Sequence, residues 1–250
     1  MKSKLSIIIP CYNEELGIPN LKSHLDPILK DLSKNYFLEL IFVDDGSKDK
    51  TLELLKDNFD SSKKAKYEVK LIKHEVNQNL GAAMRTGFAN ATGDFVITMD
   101  SDCTYDPQTI PEMLKLLDTD TDMVIASPYH PQGEVRNVPK YRLLLSGAIT
   151  SIYRLLTGSK IYTYTALFRA YKVKVVKEVS FNSNDFLATA EMLINALNKG
   201  YKVKEYPTVL NVRQFGESKI RLARVIKSHF KYASSLLFLK LFKAKNKAAI

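Results

Sequence analysis

Phe95-Val96-Ile97-Thr98-Met99-Asp100-Ser101-Asp102 is a short apolar run that stops on two carboxylates one residue apart. Bounded by Gly93-Asp94 and by the acidic turn, Phe95–Met99 reads as a fully buried strand. The same construction stands twice upstream. Leu5–Pro10 runs into Cys11-Tyr12-Asn13-Glu14-Glu15, and Leu38–Val43 runs into Asp44-Asp45-Gly46-Ser47. Between these runs lie helical patterns. Leu16–Leu32 puts Leu21, Leu25, Ile28, Leu29 and Leu32 on one face. Ser47 or Asp49 can cap Lys50–Asn58, and Gly81–Asn90 and Pro107–Leu117 follow a third and a fourth strand (Val69–His74 is the third). Met123–Ala126 is a further strand. Strands alternating with helices at this spacing predict an α/β fold, a mostly parallel sheet flanked by helices. In such sheets ligands bind beyond the carboxyl ends of the strands, where the acidic clusters sit.

The second half changes character. Tyr141–Leu156 and Thr189–Lys199 read as helices, Thr163–Tyr171 as strand-like, and Lys202–Tyr206 and Thr208–Arg213 as short strands. Ile220–Phe242 reads as a long basic amphipathic helix. Residues 1–219 are therefore expected to form one folded unit and 220–250 an appended helix and tail.

The net charge of +10 is unevenly placed. Ten basic residues lie from Arg213 onward against one acid, Glu217, so the remainder carries +1. A neutral body with a basic tail points to an anionic partner. Leu222, Val225, Ile226, Phe230, Ala233, Leu236 and Leu237 form an apolar stripe flanked by Arg221, Arg224, Lys227 and Lys231. It suits either an anionic membrane surface or packing on the body. The near-neutral body carries no nucleic-acid motif, so no nucleic acid is expected. The two cysteines, Cys11 and Cys103, form no CxxC and imply a reducing compartment. No apolar stretch reaches the ~18 residues of a membrane span, and Pro10 cuts the first apolar run too short for a signal core. The expected location is cytoplasmic, peripheral on the cytoplasmic membrane face.

Asp100 and Asp102 can both reach a hard divalent cation, which in turn bridges two phosphates of a nucleotide diphosphate. Asp44 or Asp45 can accept hydrogen bonds from a base or ribose, although Asp, Gly and Ser also build turns. Tyr12 can stack on a base and Glu14 can accept from it.

Ile9-Pro10-Cys11-Tyr12-Asn13-Glu14, Val43-Asp44-Asp45-Gly46-Ser47, Asn79-Leu80-Gly81-Ala82-Ala83 and Met99-Asp100-Ser101-Asp102 resemble, in order, the motifs of family-two inverting glycosyltransferases. The second half is similar to the dolichol-phosphate mannosyltransferase subgroup. Thr165-Ala166-Leu167-Phe168-Arg169, Arg213-Gln214-Phe215-Gly216-Glu217-Ser218-Lys219 and Tyr141-Arg142-Leu143-Leu144-Leu145-Ser146 carry that likeness. It implies the glycosyltransferase-A fold, Mg2+ or Mn2+, a nucleotide-sugar donor and a lipid-phosphate acceptor. It further implies a nucleotide site of Pro10, Tyr12, Glu14, Val43, Asp44, Asp45, Asp100 and Ser101. Asp100 and Asp102 would hold the metal. Arg142, Ser146, Arg169, Arg213 and Lys219 would meet the acceptor phosphate, and Asp102, Glu191 and Arg213 would serve catalysis.

The sequence departs from that pattern in three places. Thr104 stands where the subgroup has Gln, Ala166 where it has Gly, and Ser127-Pro128-Tyr129-His130 where it has an Arg-containing segment, a role left to Arg136 or His130. A hydroxyl acceptor needs a general base, which many family members supply from a Glu-Asp pair. Thr189-Ala190-Glu191-Met192 offers a single carboxylate, which favours an acceptor that is already ionised and leaves Glu191 free to bind a sugar hydroxyl. The expected reaction is transfer of a hexose from a UDP- or GDP-sugar to a polyprenyl phosphate. Transfer to a glycan hydroxyl is the alternative, and a non-catalytic nucleotide or nucleic-acid binding module the distant one.

Overall fold

β1 (Ser3–Cys11), β2 (Tyr36–Asp44) and β4 (Phe95–Thr98) are apolar runs in the middle of a seven-stranded sheet; α1 (Ile18–Leu32), α2 (Thr51–Phe59), β3 (Tyr67–Lys73) and α3 (Leu80–Asn90) connect them. The computed structural model describes residues 2–59, 67–213, 215 and 222–248, apart from the side chains of Lys140, Arg142, Leu222 and residues 242–248. A 3-10 turn (Pro107–Thr109) leads into α4 (Ile110–Lys115). After it come β5 (Met123–Ser127), β6 (Glu134–Val135), α5 (Lys140–Thr157), β7 (Arg169–Lys172), α6 (Val173–Glu178), α7 (Leu187–Asn198), β8 (Val203–Pro207), β9 (Val209–Leu210) and α8 (Leu222–Ala248).

The sheet runs β3-β2-β1-β4-β7-β5-β8, with β7 antiparallel to both its neighbours and every other pairing parallel. β1 is followed by β2 on one side, whereas β4 joins on the other. The strand order therefore reverses between β1 and β4, and a crevice opens at their carboxyl ends. Ile7, Ile8 and Ile9, Leu40 to Val43, and Val96 and Ile97 are all buried. That is why these strands are apolar throughout instead of alternating.

Below the sheet centre, at the end away from the crevice, Glu39 is completely buried. It accepts from Ser6 Oγ (2.6 Å), Thr92 N (3.0 Å) and Thr92 Oγ1 (2.9 Å), and it pairs with Lys70 (2.7 Å) and Lys4 (3.3 Å). One carboxylate thus ties β1, β2, β3 and the α3–β4 connection together.

The second half differs from the sequence expectation. Of the strand-like Thr163–Tyr171 only the part from Arg169 pairs in the sheet, as β7. The amides of Tyr162 and Thr163 instead donate to the Glu205 carboxylate (2.9–3.0 Å), which takes the Thr163 donor out of any ladder at the start of that stretch. Thr208–Arg213 contributes just β9, paired with β6 in a two-stranded sheet. α6 was not foreseen because Val173-Lys174-Val175-Val176 reads as β-branched strand.

The stripe on α8 packs inward. His229 and Ala233 are buried, and Val225, Ile226, Tyr232 and Leu236 are half-buried. Tyr153 of α5 shares its hydroxyl hydrogen bond with His229 Nδ1 (2.7 Å), and its ring meets Tyr232. Phe230 and Leu237, expected in the same stripe, face solvent.

Candidate active site at the carboxyl ends of β1, β2 and β4

The β1–α1 and β2–α2 loops are laced together. Asn13, in the left-handed region (φ 52°), donates its amide to Ser47 Oγ (2.9 Å) and accepts the Lys48 amide on its side chain (2.8 Å). The Glu14 amide donates to Thr51 Oγ1 (2.7 Å) and the Glu15 amide to Asp49 Oδ2 (3.2 Å). The run Asp44 to Asp49 is therefore scaffold for the β1–α1 loop. These bonds leave the side chains of Pro10 and Tyr12 half-buried on the crevice loop, with Val43 buried at the strand end behind.

Asp44 and Asp45 point to opposite faces, as neighbours at a strand end must. Asp44 Oδ1 accepts the Ser47 amide (3.1 Å), while its buried Oδ2 has no partner among the described residues. A cavity of about 480 Å³, walled by Lys48, Lys50, Lys56 and Lys73, opens at Asp44. Asp45 is instead engaged on both oxygens. Oδ1 meets His74 Nδ1 (2.7 Å) and the Gln78 amide (2.9 Å), and Oδ2 accepts from Asn77 Nδ2 (2.9 Å).

At the β4 end, Ser101 is buried and Asp100 and Asp102 are half-buried; Asp102 Oδ1 accepts the Thr104 amide (3.1 Å). Cys103 takes a left-handed φ of 53°, turning the chain sharply after the second carboxylate. Burial, then the charges of Asp102 and Glu14, push the Asp100 carboxyl up to about 8, against the pull of Arg213. Burial and the charges of Asp102, Asp100 and Asp106 push the Cys103 thiol up to about 12, which disfavours its thiolate.

Arg213 lies across the crevice. Its Nη2 binds the Glu14 carboxylate, its Nη1 stands 3.9 Å from Asp102 Oδ2, and its Nε donates to Phe215 O (2.6 Å). What delivers it there was not foreseen. The Asn211 amide donates to Thr104 O (2.9 Å) and Leu210 bridges Tyr105, so the segment after β9 is stitched to the Asp100–Asp102 turn. No side-chain motif carries that pairing, which is made by backbone alone. Thr104 thus serves through its amide and carbonyl in the position where a Gln side chain was expected.

Among the described residues no cluster of three or more His, Cys, Asp and Glu forms a ready-made metal cage. Two hard carboxylates with excess negative charge remain at Asp100 and Asp102. That donor set fits Mg2+ or Mn2+, which take one or two carboxylates plus substrate phosphates rather than an all-protein cage.

Two expected site residues are elsewhere. Arg169 is fully buried, donating to Thr189 O (2.6 Å) and Tyr164 O (2.7 Å). It holds the β7 entry to α7 and cannot meet an acceptor phosphate. Glu191 is buried too, and its carboxylate accepts the amides of Asn182 (3.1 Å) and Ser183 (2.9 Å). Its carboxylate is engaged in anchoring the loop before α7. Ser146 is half-buried on α5. The Arg142 side chain and all of Lys219 lie outside the described residues. Arg136 pairs with Glu134 (2.8 Å), and the His130 ring packs edge-on against Tyr162.

A dolichol-phosphate mannosyltransferase of Pyrococcus furiosus is 34% identical over 220 residues, covering 87% of this chain and 59% of its own length. The chain thus spans less than two thirds of that relative. A polyprenol monophosphomannose synthase of Mycolicibacterium smegmatis is 29% identical over 234 residues, covering 91% of this chain and 84% of the relative. Among solved structures, glucosyl-3-phosphoglycerate synthase from Mycobacterium tuberculosis with Mg2+ and UDP superimposes with a TM-score of 0.69 at 16% identity, over 92% of this chain and 79% of that one. At that identity the likeness establishes the shared glycosyltransferase-A fold alone. The family model "Glycosyl transferase family 2" matches residues 6–180, well over half the sequence and every strand end that builds the crevice; the chain belongs to that family.

Proposed function

We propose that this chain is an inverting glycosyltransferase that moves a hexose from a UDP- or GDP-linked sugar to a polyprenyl or dolichyl phosphate. The observation that carries the reading is the meeting of Glu14, Asp100, Asp102 and Arg213 at the point where the strand order reverses. The names of the two relatives support this acceptor class. Residues 1–219 are the catalytic unit in this reading, and 220–250 an appended helix and tail.

The nucleotide would lie over Pro10, Tyr12, Glu14, Val43, Asp44, Asp45, Asp100 and Ser101. A Mg2+ or Mn2+ held by Asp100 and Asp102 would offset charge on the departing diphosphate. Arg213 already sits on two carboxylates that compete for it, and a diphosphate in the crevice offers its guanidinium a better-matched, bidentate partner. Its role is to stabilise the leaving group as charge develops. Arg142, Ser146 and Lys219 are the candidates for the acceptor phosphate. A lipid phosphate is ionised at neutral pH and needs no proton removed. That agrees with Glu191 being committed to the 182–183 amides. Transfer of labelled hexose from UDP- or GDP-sugars to polyprenyl phosphate is the test; turnover confined to sugar hydroxyl acceptors would overturn the reading.

A peripheral place on the cytoplasmic membrane face goes with this acceptor. No helix of the described residues is long and apolar enough to cross a membrane. Leu144, Leu145 and Leu155 on α5 and Phe230, Leu237 and Phe238 on α8 are exposed, among exposed Arg224, Lys227, Lys231 and Lys240. Each basic residue near an anionic surface contributes about 1 kcal/mol. The protein is expected to sediment with vesicles containing phosphatidylglycerol at low salt and to leave them at about 0.5 M salt, with Phe238→Glu binding roughly tenfold more weakly. Equal sedimentation with neutral vesicles would remove the electrostatic part.

A further inference from the structure

We infer that His74, through Asp45, is a positioning residue that sets how tightly the nucleotide is held, by fixing the loop between β3 and α3 over the β2 turn. The inference rests on the donor-site reading above.

His74 is 8% exposed and is gripped from three sides. Its amide donates to Asp44 O (2.9 Å), its Nδ1 meets Asp45 Oδ1 (2.7 Å), and its Nε2 meets Thr86 Oγ1 on α3 (2.9 Å). With the proton on Nδ1 toward the carboxylate, Nε2 accepts from the threonine hydroxyl, and the ring has one orientation. Asp45 is thereby held with Oδ1 open to the Gln78 amide and Oδ2 open to Asn77 Nδ2, which also donates to Asp45 O (3.2 Å). The loop from Glu75 to Asn79 has no secondary structure of its own.

That loop lies directly on the turn at the β2 end. A Cβ added at Gly46, whose φ is +72°, would stand 2.6 Å from Val76 C and 2.7 Å from Asn77 N. Val76 is 67% exposed there, an apolar surface beside the carboxylates of the crevice. A nucleobase entering between the β1 loop and this turn meets a wall whose place depends on Asp45. Asp45 in turn depends on His74. Nothing in the chain Thr86, His74, Asp45 reaches the Asp100–Asp102 turn, where the sugar–phosphate bond would be cleaved. The predicted consequence is an effect on donor binding with the chemical step left alone.

The test compares His74→Leu, which keeps bulk and loses both ring nitrogens, with His74→Asn, whose side-chain amide can still donate to Asp45. Nucleotide dissociation constants for UDP and GDP are measured by calorimetry, and donor KM and kcat by transfer assay. The leucine variant is expected to raise Kd and donor KM at least tenfold with kcat within about twofold, and the asparagine variant to recover most of the loss. Unchanged Kd in the leucine variant, a fall in kcat matching the rise in KM, or no recovery by asparagine would overturn the inference. Should the leucine variant not fold, Thr86→Val decides, expected to raise Kd about threefold, and no change there counts against it. A wild-type protein that binds nucleotide but transfers nothing would sink the transferase reading while leaving His74 testable by Kd. Failure to bind any nucleotide would end both.

Discussion

Asp102→Asn is expected to lower kcat/KM by about a thousandfold, roughly 4 kcal/mol of transition-state stabilisation, while shifting the melting temperature little. The two halves of that expectation have separate causes. Asp102 is half-buried; its Oδ1 accepts the Thr104 amide, and its Oδ2 stands 3.9 Å from Arg213 Nη1. Asparagine Oδ1 can accept the same bond, so the turn persists. What the substitution removes is charge. Asp100 is already pushed up to about 8 by burial and by the carboxylates of Asp102 and Glu14. The crevice thus gathers more carboxylates than Arg213 alone balances, and a divalent cation held there would relieve their repulsion. Without the Asp102 charge that cation would lose one of the two carboxylates proposed to hold it. Donor stabilisation should register the same loss independently of turnover. A nucleotide at about a hundred times its dissociation constant adds about 2.7 kcal/mol to stability, and in wild type that gain should require Mg2+ or Mn2+. In Asp102→Asn it should disappear. A wild-type gain that is indifferent to chelators, or a variant that retains activity, would take the metal away from this pair.

The strand ends that build the crevice were legible in the sequence for two physical reasons. Burial on both faces leaves uninterrupted apolar runs, and acids directly after such a run must lie where the chain leaves the core and meets solvent or a ligand. Leu5–Pro10, Leu38–Val43 and Phe95–Met99 each match a strand to within two residues at either end. Asp44 and Asp45 were not separable, since adjacent residues look alike on paper and diverge only when the strand sends them to opposite faces. Arg169 and Glu191 lie in the interior for a shared reason. Each sits in a stretch that is apolar all round, Leu167 to Tyr171 and Leu187 to Ile194, and both stretches are buried. A charged residue in such a stretch is an interior group bonded to backbone; the flanking residues held that signal, and the motif likeness obscured it. The Glu14–Arg213 pair joins positions 199 residues apart. The backbone stitch after β9, the Asn211 amide on Thr104 O and the Leu210–Tyr105 bridge, helps bring them together, and local pattern cannot register it.

Glu39 lies outside every motif, yet its removal is expected to produce the largest loss of stability. Burial would raise its pKa; the Lys70 ammonium, the Ser6 hydroxyl, and the amide and hydroxyl of Thr92 outweigh that and bring it down to about 2 from 4.5. The folded state therefore prefers the ionised carboxyl, which at neutral pH is worth about 3 kcal/mol. Because the folded pKa lies below the unfolded one, this stabilisation is fully present above about pH 4.5. It drains away as pH falls toward about 2, where both states are protonated. Glu39→Gln keeps the shape and an acceptor for Thr92 but leaves Lys4 and Lys70 without their shared anion. In denaturant unfolding the variant should be about 3 kcal/mol less stable than wild type at pH 7, lowering the melting temperature by roughly 6–12 °C. At pH 3 the deficit should shrink to about half. A deficit that stays constant from pH 7 to pH 3 would mean that Glu39 acts through shape and hydrogen bonding alone. No deficit at pH 7 would mean that the two half-exposed lysines find equal partners in water, and that the carboxylate joining β1, β2, β3 and the α3–β4 connection is there to align those elements and not to stabilise them.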